Sequence, residues 1–340
     1  MKTSNRFFLY KFYENHVPMC CTMEITRKCN FDCIHCYLKE NHNLELDVER
    51  IKTIIQQIKK AGTFILNLTG GEIFFHPHFC EIYEYAIENN MIVSLLTNAS
   101  LLNEHIRQTL KQAPPRKIEI TLYGMTNPVF NNVTKSRLNA DVVISNIRKL
   151  KADGHNLLLK MLVIKENREE FCLVREFAKQ NNISFQYDFN ILPAFKGVQI
   201  RKHELSVDEA INLELNDGTN KIEKWRSMFK SYDYKNNKKI NCGCGRYSYV
   251  ISSDLNVKKC NFMDSNEEQN LDKKPFGEIW ESWKTEKDSI FPYERCKKCK
   301  FQAICDICPS ISFAMSRNTD GWVWRQCELA KKRYTLIQNN

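Results

Sequence analysis

Apolar and polar positions alternate in two rhythms over roughly the first 200 residues. From Leu46 to Lys60 the apolar residues Val48, Ile51, Ile54, Ile55 and Ile58 recur at steps of three and four, the period of a helix with one buried face, and Gly62 supplies a stop. Phe64 to Thr69 then switches to a short β-rich run. The exchange repeats as helix over His78 to Asn89, strand over Ile92 to Thr97, helix over Leu102 to Leu110 and, past the turn at Pro114-Pro115, strand over Lys117 to Tyr123. A helix at Val142 to Lys151, a strand at Leu157 to Ile164, a helix at Glu169 to Gln180 and a strand at Ile183 to Asp188 complete the series, and Met23 to Thr26 heads it. Six βα-type units in sequence predict a parallel sheet with right-handed crossovers. Six fall short of a closed eight-stranded barrel, so the expected fold is α/β, an open, partial (β/α)6 TIM-like barrel over residues 21–220, preceded by an extension over 1–20.

In such folds chemistry collects where strands end at their C-terminal edge. Three unusual stretches fall on that rim. The segment "CNFDCIHCY" follows the first strand and spaces Cys29, Cys33 and Cys36 as C-x3-C-x2-C; Gly70-Gly71-Glu72 follows the second; Thr97-Asn98 ends the third. Three thiolates at this spacing suit three of the four irons of a cubane cluster, leaving the fourth open to a small chelating ligand. A zinc site with one ligand elsewhere is the competing reading of the cysteines alone.

Composition sets the surroundings. The chain has 340 residues, 43% hydrophobic and 26% charged, as ordinary globular proteins do. No apolar run near Met1 has the length of a signal peptide, and none elsewhere spans a bilayer, so the expected compartment is the cytoplasm and no membrane partner is expected. In that reducing setting 15 cysteines argue for metal ligation over disulfides. A net charge of +10 fits an anionic cofactor, an acidic peptide or nucleic acid, yet the basic residues are dispersed, as in Lys59-Lys60, Lys238-Lys239 and Lys331-Lys332-Arg333, without the long basic arm that would favour nucleic acid.

With both motifs in view, Cys29, Cys33 and Cys36 resemble the cluster motif of the radical S-adenosylmethionine (SAM) enzymes, and Thr69-Gly70-Gly71-Glu72 resembles their "GGE" turn. The resemblance implies a [4Fe–4S] cluster held by the three cysteines, with SAM chelating the open iron. One electron then cleaves the sulfonium S–C bond to give methionine and a 5′-deoxyadenosyl radical that abstracts a hydrogen. It also implies that Gly70 and Gly71 allow close backbone approach, that Glu72 accepts hydrogen bonds from the methionine ammonium, and that His35 stands where relatives place an aromatic residue near the adenine. Thr97, Asn98 and Thr121 resemble rim positions that meet the nucleoside. Tyr37 is expected in the core.

The second half holds its own cysteines. After a polar stretch read as a linker (221–240), "INCGCGRYSYVISSDLNVKKC" gives Cys242, Cys244 and Cys260, and "CKKCKFQAICDICP" gives Cys296, Cys299, Cys305 and Cys308, followed by Cys327. Eight thiolates match two fully ligated clusters. Residues 241–340 resemble the SPASM-type domain that carries auxiliary [4Fe–4S] clusters in many radical SAM enzymes. The family's interleaved pattern implies Cys242, Cys244, Cys260 and Cys308 for the nearer cluster and Cys296, Cys299, Cys305 and Cys327 for the farther one. Two departures stand out: Asn256 near a usual glycine, and a gap of only Asp306-Ile307 before Cys308. Relatives frequently have a small residue at the position of Cys244. Two C-x2-C pairs by themselves would equally suit zinc.

Enzymes of this resemblance mostly modify peptides and proteins, so the expected activity is that of a radical SAM oxidoreductase maturing a ribosomally made peptide through a thioether or another crosslink. Its implied partners are the peptide, an electron donor such as flavodoxin or ferredoxin, and either a separate leader-recognition protein or a basic surface that captures the leader. A cofactor-biosynthesis enzyme of the quinone or haem type remains open. So does a sulfatase-maturing enzyme, although Asn261 stands where such enzymes carry an acidic residue after the cysteine aligned with Cys260. A zinc-containing nucleic-acid-binding module would account for the charge and the C-x2-C pairs but not for the GGE turn.

Overall fold

The computed structural model describes residues 9–38, 43–191, 200–232, 242–263, 267–285, 296, 298–308, 311 and 321–339. Strands form where the sequence alternates. In β5 (Leu157–Leu162) Leu157, Leu159 and Met161 are buried against helices while Leu158, Lys160 and Leu162 turn to the other face. β4 (Lys117–Thr121) divides likewise, with Ile118 and Ile120 buried and Lys117, Glu119 and Thr121 opposite. The remaining parallel strands are β1 (Cys20–Thr26), β2 (Ile65–Gly70), β3 (Ile92–Thr97) and β6 (Ser184–Asp188). They lie side by side in sequence order, each parallel to the next.

Helices cover the apolar face. The helix Val48–Lys60 starts where the Asp47 carboxylate accepts the backbone N–H groups of Glu49 and Arg50, and it buries Ile51, Ile54, Ile55 and Ile58, each contributing about 1.5–3 kcal/mol. Phe79–Glu88, Glu104–Gln112, Ala140–Ala152 and Phe171–Gln180 bury an apolar face likewise. A short helix at Asn127–Thr134, started by Pro128 in its first turn, interrupts the β4-to-helix connection where the sequence pattern gives no element.

The sheet does not stop at β1. β7 (Ser248–Ile251) pairs in parallel with β1, and β8 (Val257–Lys258) returns antiparallel to β7, giving the order β6-β5-β4-β3-β2-β1-β7-β8. The sequence reading assigns this pair to the C-terminal domain; packing explains why it joins the sheet. The Tyr249 ring packs tilted 4.6 Å from Phe276 and 5.4 Å from Trp280, its hydroxyl meets Thr63 Oγ1 at 2.8 Å, and the Trp280 indole donates to the His16 carbonyl.

The chain divides into two compact units, 1–203 with 243–286, and 204–242 with 287–340. Lys221–Ser231, expected to be part of a linker, is a helix in the second unit. Its apolar residues Ile222, Trp225 and Phe229 fall at helical spacing, Asn220 caps it, and Trp225 is buried under the Arg333 guanidinium. Residues 233–240 of that expected linker and residues 1–8 of the expected extension lie outside the described residues. No helix among the described residues is long and apolar enough to cross a membrane.

Candidate active site

Close backbone contact at the β1 and β2 ends shapes the site. Gly71 N–H donates to the Thr26 carbonyl (2.8 Å) and Glu72 N–H to the Lys28 carbonyl (2.9 Å). A Cβ on Gly70 would overlap the Thr26 carbonyl, and one on Gly71 would overlap those of Arg27 and Lys28. These glycines therefore let the second rim turn press against the backbone that leads into Cys29.

The Glu72 side chain faces inward. It is fully buried, and its carboxylate accepts from Phe74 N–H (3.1 Å), Thr97 Oγ1 (2.5 Å) and Asn98 N–H (2.6 Å). Burial pushes its pKa up to about 7 against the opposing pull of those three donors. The carboxylate thus ties the β2 turn to the end of β3.

A cavity of about 490 Å³ opens in front of this frame. Its walls include Cys29, Cys33, Cys36, His35, Gly70, Gly71, Thr97, Asn98 and Thr121, so of the rim residues singled out in the sequence only Glu72 stands behind the surface. His35 packs its ring 4.9 Å from Tyr123. Tyr37, expected in the core, lines the cavity with its ring against Phe262. The sequence reading did not single out Arg27, Tyr123, Lys160, Gln186, Asp188 or Phe262, which also line it. One signal was present: Lys160 is the lone charge in the run "LLLKML", on the strand face opposite the buried leucines. Its ammonium pairs with Glu119, which also binds Lys117. Arg27 is held by Glu24 (3.4 Å) and by Asp254 (3.2 Å) in the β7–β8 turn.

The three thiols suit a cationic iron cluster. Burial pushes Cys29 up to about 12 and raises Cys33 as well, with the neighbouring thiols adding to both. Tyr123 hydrogen-bonds to Cys33, and the Phe31 N–H lies 3.4 Å from Cys29 Sγ. Buried sulfurs with raised pKa values stay protonated until a metal removes the proton. Among the described residues no three His, Cys, Asp or Glu side chains are set as ligands of a single ion; in a cubane each thiolate takes a different iron.

The eight C-terminal cysteines fall in both units. Cys244 and Cys260 belong to the first; Cys242, Cys296, Cys299, Cys305, Cys308 and Cys327 belong to the second. In the second unit Cys308 and Cys327, like Ile307 and Ile311, are partly buried around one hydrophobic core cluster. Burial raises Cys305 to about 12, and the nearby Cys327, Asp306 and Cys299 add to the rise.

Residues 23–178 match the family model of the Radical SAM superfamily. That stretch is a radical SAM domain, and such domains use SAM and a [4Fe–4S] cluster. The chain is 25% identical, over 72% of its length, to the antilisterial bacteriocin subtilosin biosynthesis protein AlbA of Bacillus subtilis (strain 168), and spans 55% of that protein. It is 23% identical to the AdoMet-dependent heme synthase of Methanosarcina barkeri (strain Fusaro / DSM 804), over 88% of this chain and 93% of that one. Among solved structures it resembles Streptococcus suis SuiB bound to precursor peptide SuiA, with a TM-score of 0.65 at 14% identity, covering 89% of this chain and 75% of that one. That likeness bears on the fold.

Proposed function

We propose that this radical SAM enzyme matures a ribosomally made peptide by abstracting a hydrogen and forming a thioether or another crosslink. Cys29, Cys33 and Cys36 would hold the cluster, and the strand-end residues Thr97, Asn98 and Thr121 would border SAM, which supplies the hydrogen-abstracting radical when bound. The observation that carries the reading is the reach of the cavity. It runs from the three thiols to Lys160, Gln186 and Asp188 on β5 and β6, and β6 is an edge strand of the sheet, so the cavity that borders the cluster ligands reaches a sheet edge that an extended chain can approach. A biosynthesis protein for a bacteriocin among the relatives supports the same substrate class.

The chain's own residues have defined tasks in this reading. Gly70 and Gly71 fix the turn beside the cysteine loop, Glu72 holds that turn to β3, and His35 and Tyr123 wall the nucleoside side. Closing a thioether breaks one C–H and one S–H bond. One hydrogen atom leaves with the nucleoside, one proton goes to solvent, and one electron must be accepted. Two auxiliary [4Fe–4S] clusters, held by the eight C-terminal cysteines, would accept it. A flavodoxin or ferredoxin would supply the reducing electron, and a separate recognition protein or the basic surface would hold the leader.

Formylglycine synthesis fits less well. Asn261, which stands where sulfatase-maturing relatives carry an acid, lines this cavity and offers no carboxylate to take a proton. A second reading, modification of a haem-type precursor, is favoured by the near full-length match to a heme synthase. Reduced, reconstituted enzyme should be incubated with SAM and either the precursor peptide encoded beside its gene or an iron porphyrin, followed by mass spectrometry. Loss of two hydrogens per crosslink in the peptide supports maturation. An unchanged peptide with a modified porphyrin supports the second reading.

A further inference from the structure

We propose that Asn98 is a positioning residue for the cluster itself: its side-chain amide donates an N–H to the Cys29 sulfur and sets the cluster's reduction potential before SAM binds. The sequence suggests contact with the nucleoside at this position, but the geometry aims the amide at a cluster ligand. Asn98 Nδ2 lies 3.9 Å from Cys29 Sγ and 3.3 Å from Asn30 Oδ1. The orientation of the amide is fixed by its other end, where Oδ1 accepts the backbone N–H of Ser100 (2.8 Å), a group that can only donate. Swapping oxygen and nitrogen would set two donors against each other.

A closed ring of hydrogen bonds holds this arrangement. Asn98 Nδ2 donates to Asn30 Oδ1, Asn30 Nδ2 donates to Ser100 Oγ (2.8 Å), and Ser100 Oγ donates to Asn98 Oδ1 (2.5 Å). Each of the three side chains thus donates once and accepts once within the ring. Asn98 is 9% exposed and Ser100 7%, so water competes little for these groups. The backbone of Asn98 is pinned as well, through its N–H to Glu72 Oε2. The amide therefore reaches the sulfur on a frame tied to both the β2 turn and the cysteine loop.

The physical consequence follows from charge. A hydrogen bond to a ligating thiolate withdraws electron density from the iron and favours the reduced, more negative cluster, so it raises the potential. Removing the donor makes the cluster harder to reduce.

The inference rests on Cys29, Cys33 and Cys36 being the ligands of the SAM-binding cluster. The test is an electron paramagnetic resonance redox titration of reconstituted wild type, Asn98→Leu and Ser100→Ala without SAM. The cluster in question is recognised as the one whose signal changes when SAM is added. In Asn98→Leu the equilibrium constant for its reduction should fall three- to tenfold, the larger figure being 59 mV for a one-electron step. Ser100→Ala, which keeps the amide but opens the ring, should shift in the same direction by less. It decides the matter if Asn98→Leu fails to assemble a cluster. Unchanged potentials, or a weaker affinity for SAM with the SAM-free potential intact, would overturn the proposal and return Asn98 to the nucleoside. Absence of any SAM-responsive signal in the wild type would instead overturn the assignment of the three cysteines.

Discussion

Glu72 shows how a single side chain divides its work between stability and site construction. Its carboxyl is raised to about 7 by burial, above the ordinary value near 4.3 for an exposed glutamate. A raised folded-state pKa stabilises fully below the unfolded value, and that contribution is lost as pH rises through about 7. The stability of wild type relative to Glu72→Gln, measured by urea unfolding without SAM, should therefore decline between pH 4.5 and 7 by on the order of 3 kcal/mol and then level off. A flat difference across that window would mean that the carboxylate is ionised throughout. The sequence marked Glu72 through its motif, yet it could not reveal that the carboxylate faces Thr97 and Asn98 and not the cavity. That outcome depends on where the end of β3 lies, a register between strands about 30 residues apart. Asn30 and Ser100 were illegible for the same reason, since nothing local to either residue announces a ring closed across two loops.

Whole elements were easier to read, because periodicity belongs to one segment at a time. β3 falls at Ile92–Thr97 as the pattern predicts, and the helices over Val48–Lys60 and Phe79–Glu88 follow their apolar spacing closely. The readings that changed are those where partners distant in sequence decide. β7 joins β1 through Tyr249 and its ring partners, and Lys221–Ser231 is helical around Trp225. Two substitutions probe such element-level contacts. Gly71→Ala forces a Cβ onto the Arg27 and Lys28 carbonyls and should cost about 1–3 kcal/mol as well as lowering iron occupancy; urea midpoints and iron assays on the same preparation read both. In the second unit Arg333 is 2% exposed, forks onto Glu214 at 2.7 and 2.9 Å, donates to the Ile304 carbonyl and pairs with Asp306. Arg333→Leu leaves Glu214 buried without its cation and should destabilise this unit by about 3–5 kcal/mol, seen as early loss of protection in hydrogen exchange over Val207–Leu215. Protection equal to that of wild type would contradict the assigned role.

Across the whole molecule the chemistry depends on how many clusters the chain holds. The eight C-terminal cysteines from Cys242 to Cys327 should retain two clusters when Cys29, Cys33 and Cys36 are all replaced by alanine. Roughly eight irons and eight acid-labile sulfides should then remain per chain after anaerobic reconstitution. Stoichiometric zinc in their place would contradict the auxiliary-cluster reading while leaving the radical SAM domain as it stands.

That same triple variant gives the most direct test of the central claim, that the three thiols on the cavity wall hold the cluster that cleaves SAM. The measurement is 5′-deoxyadenosine released from SAM by dithionite-reduced protein, wild type against Cys29→Ala/Cys33→Ala/Cys36→Ala. The expected result is steady release by the wild type and none above the protein-free background from the variant. Release by the variant at the wild-type rate would contradict it.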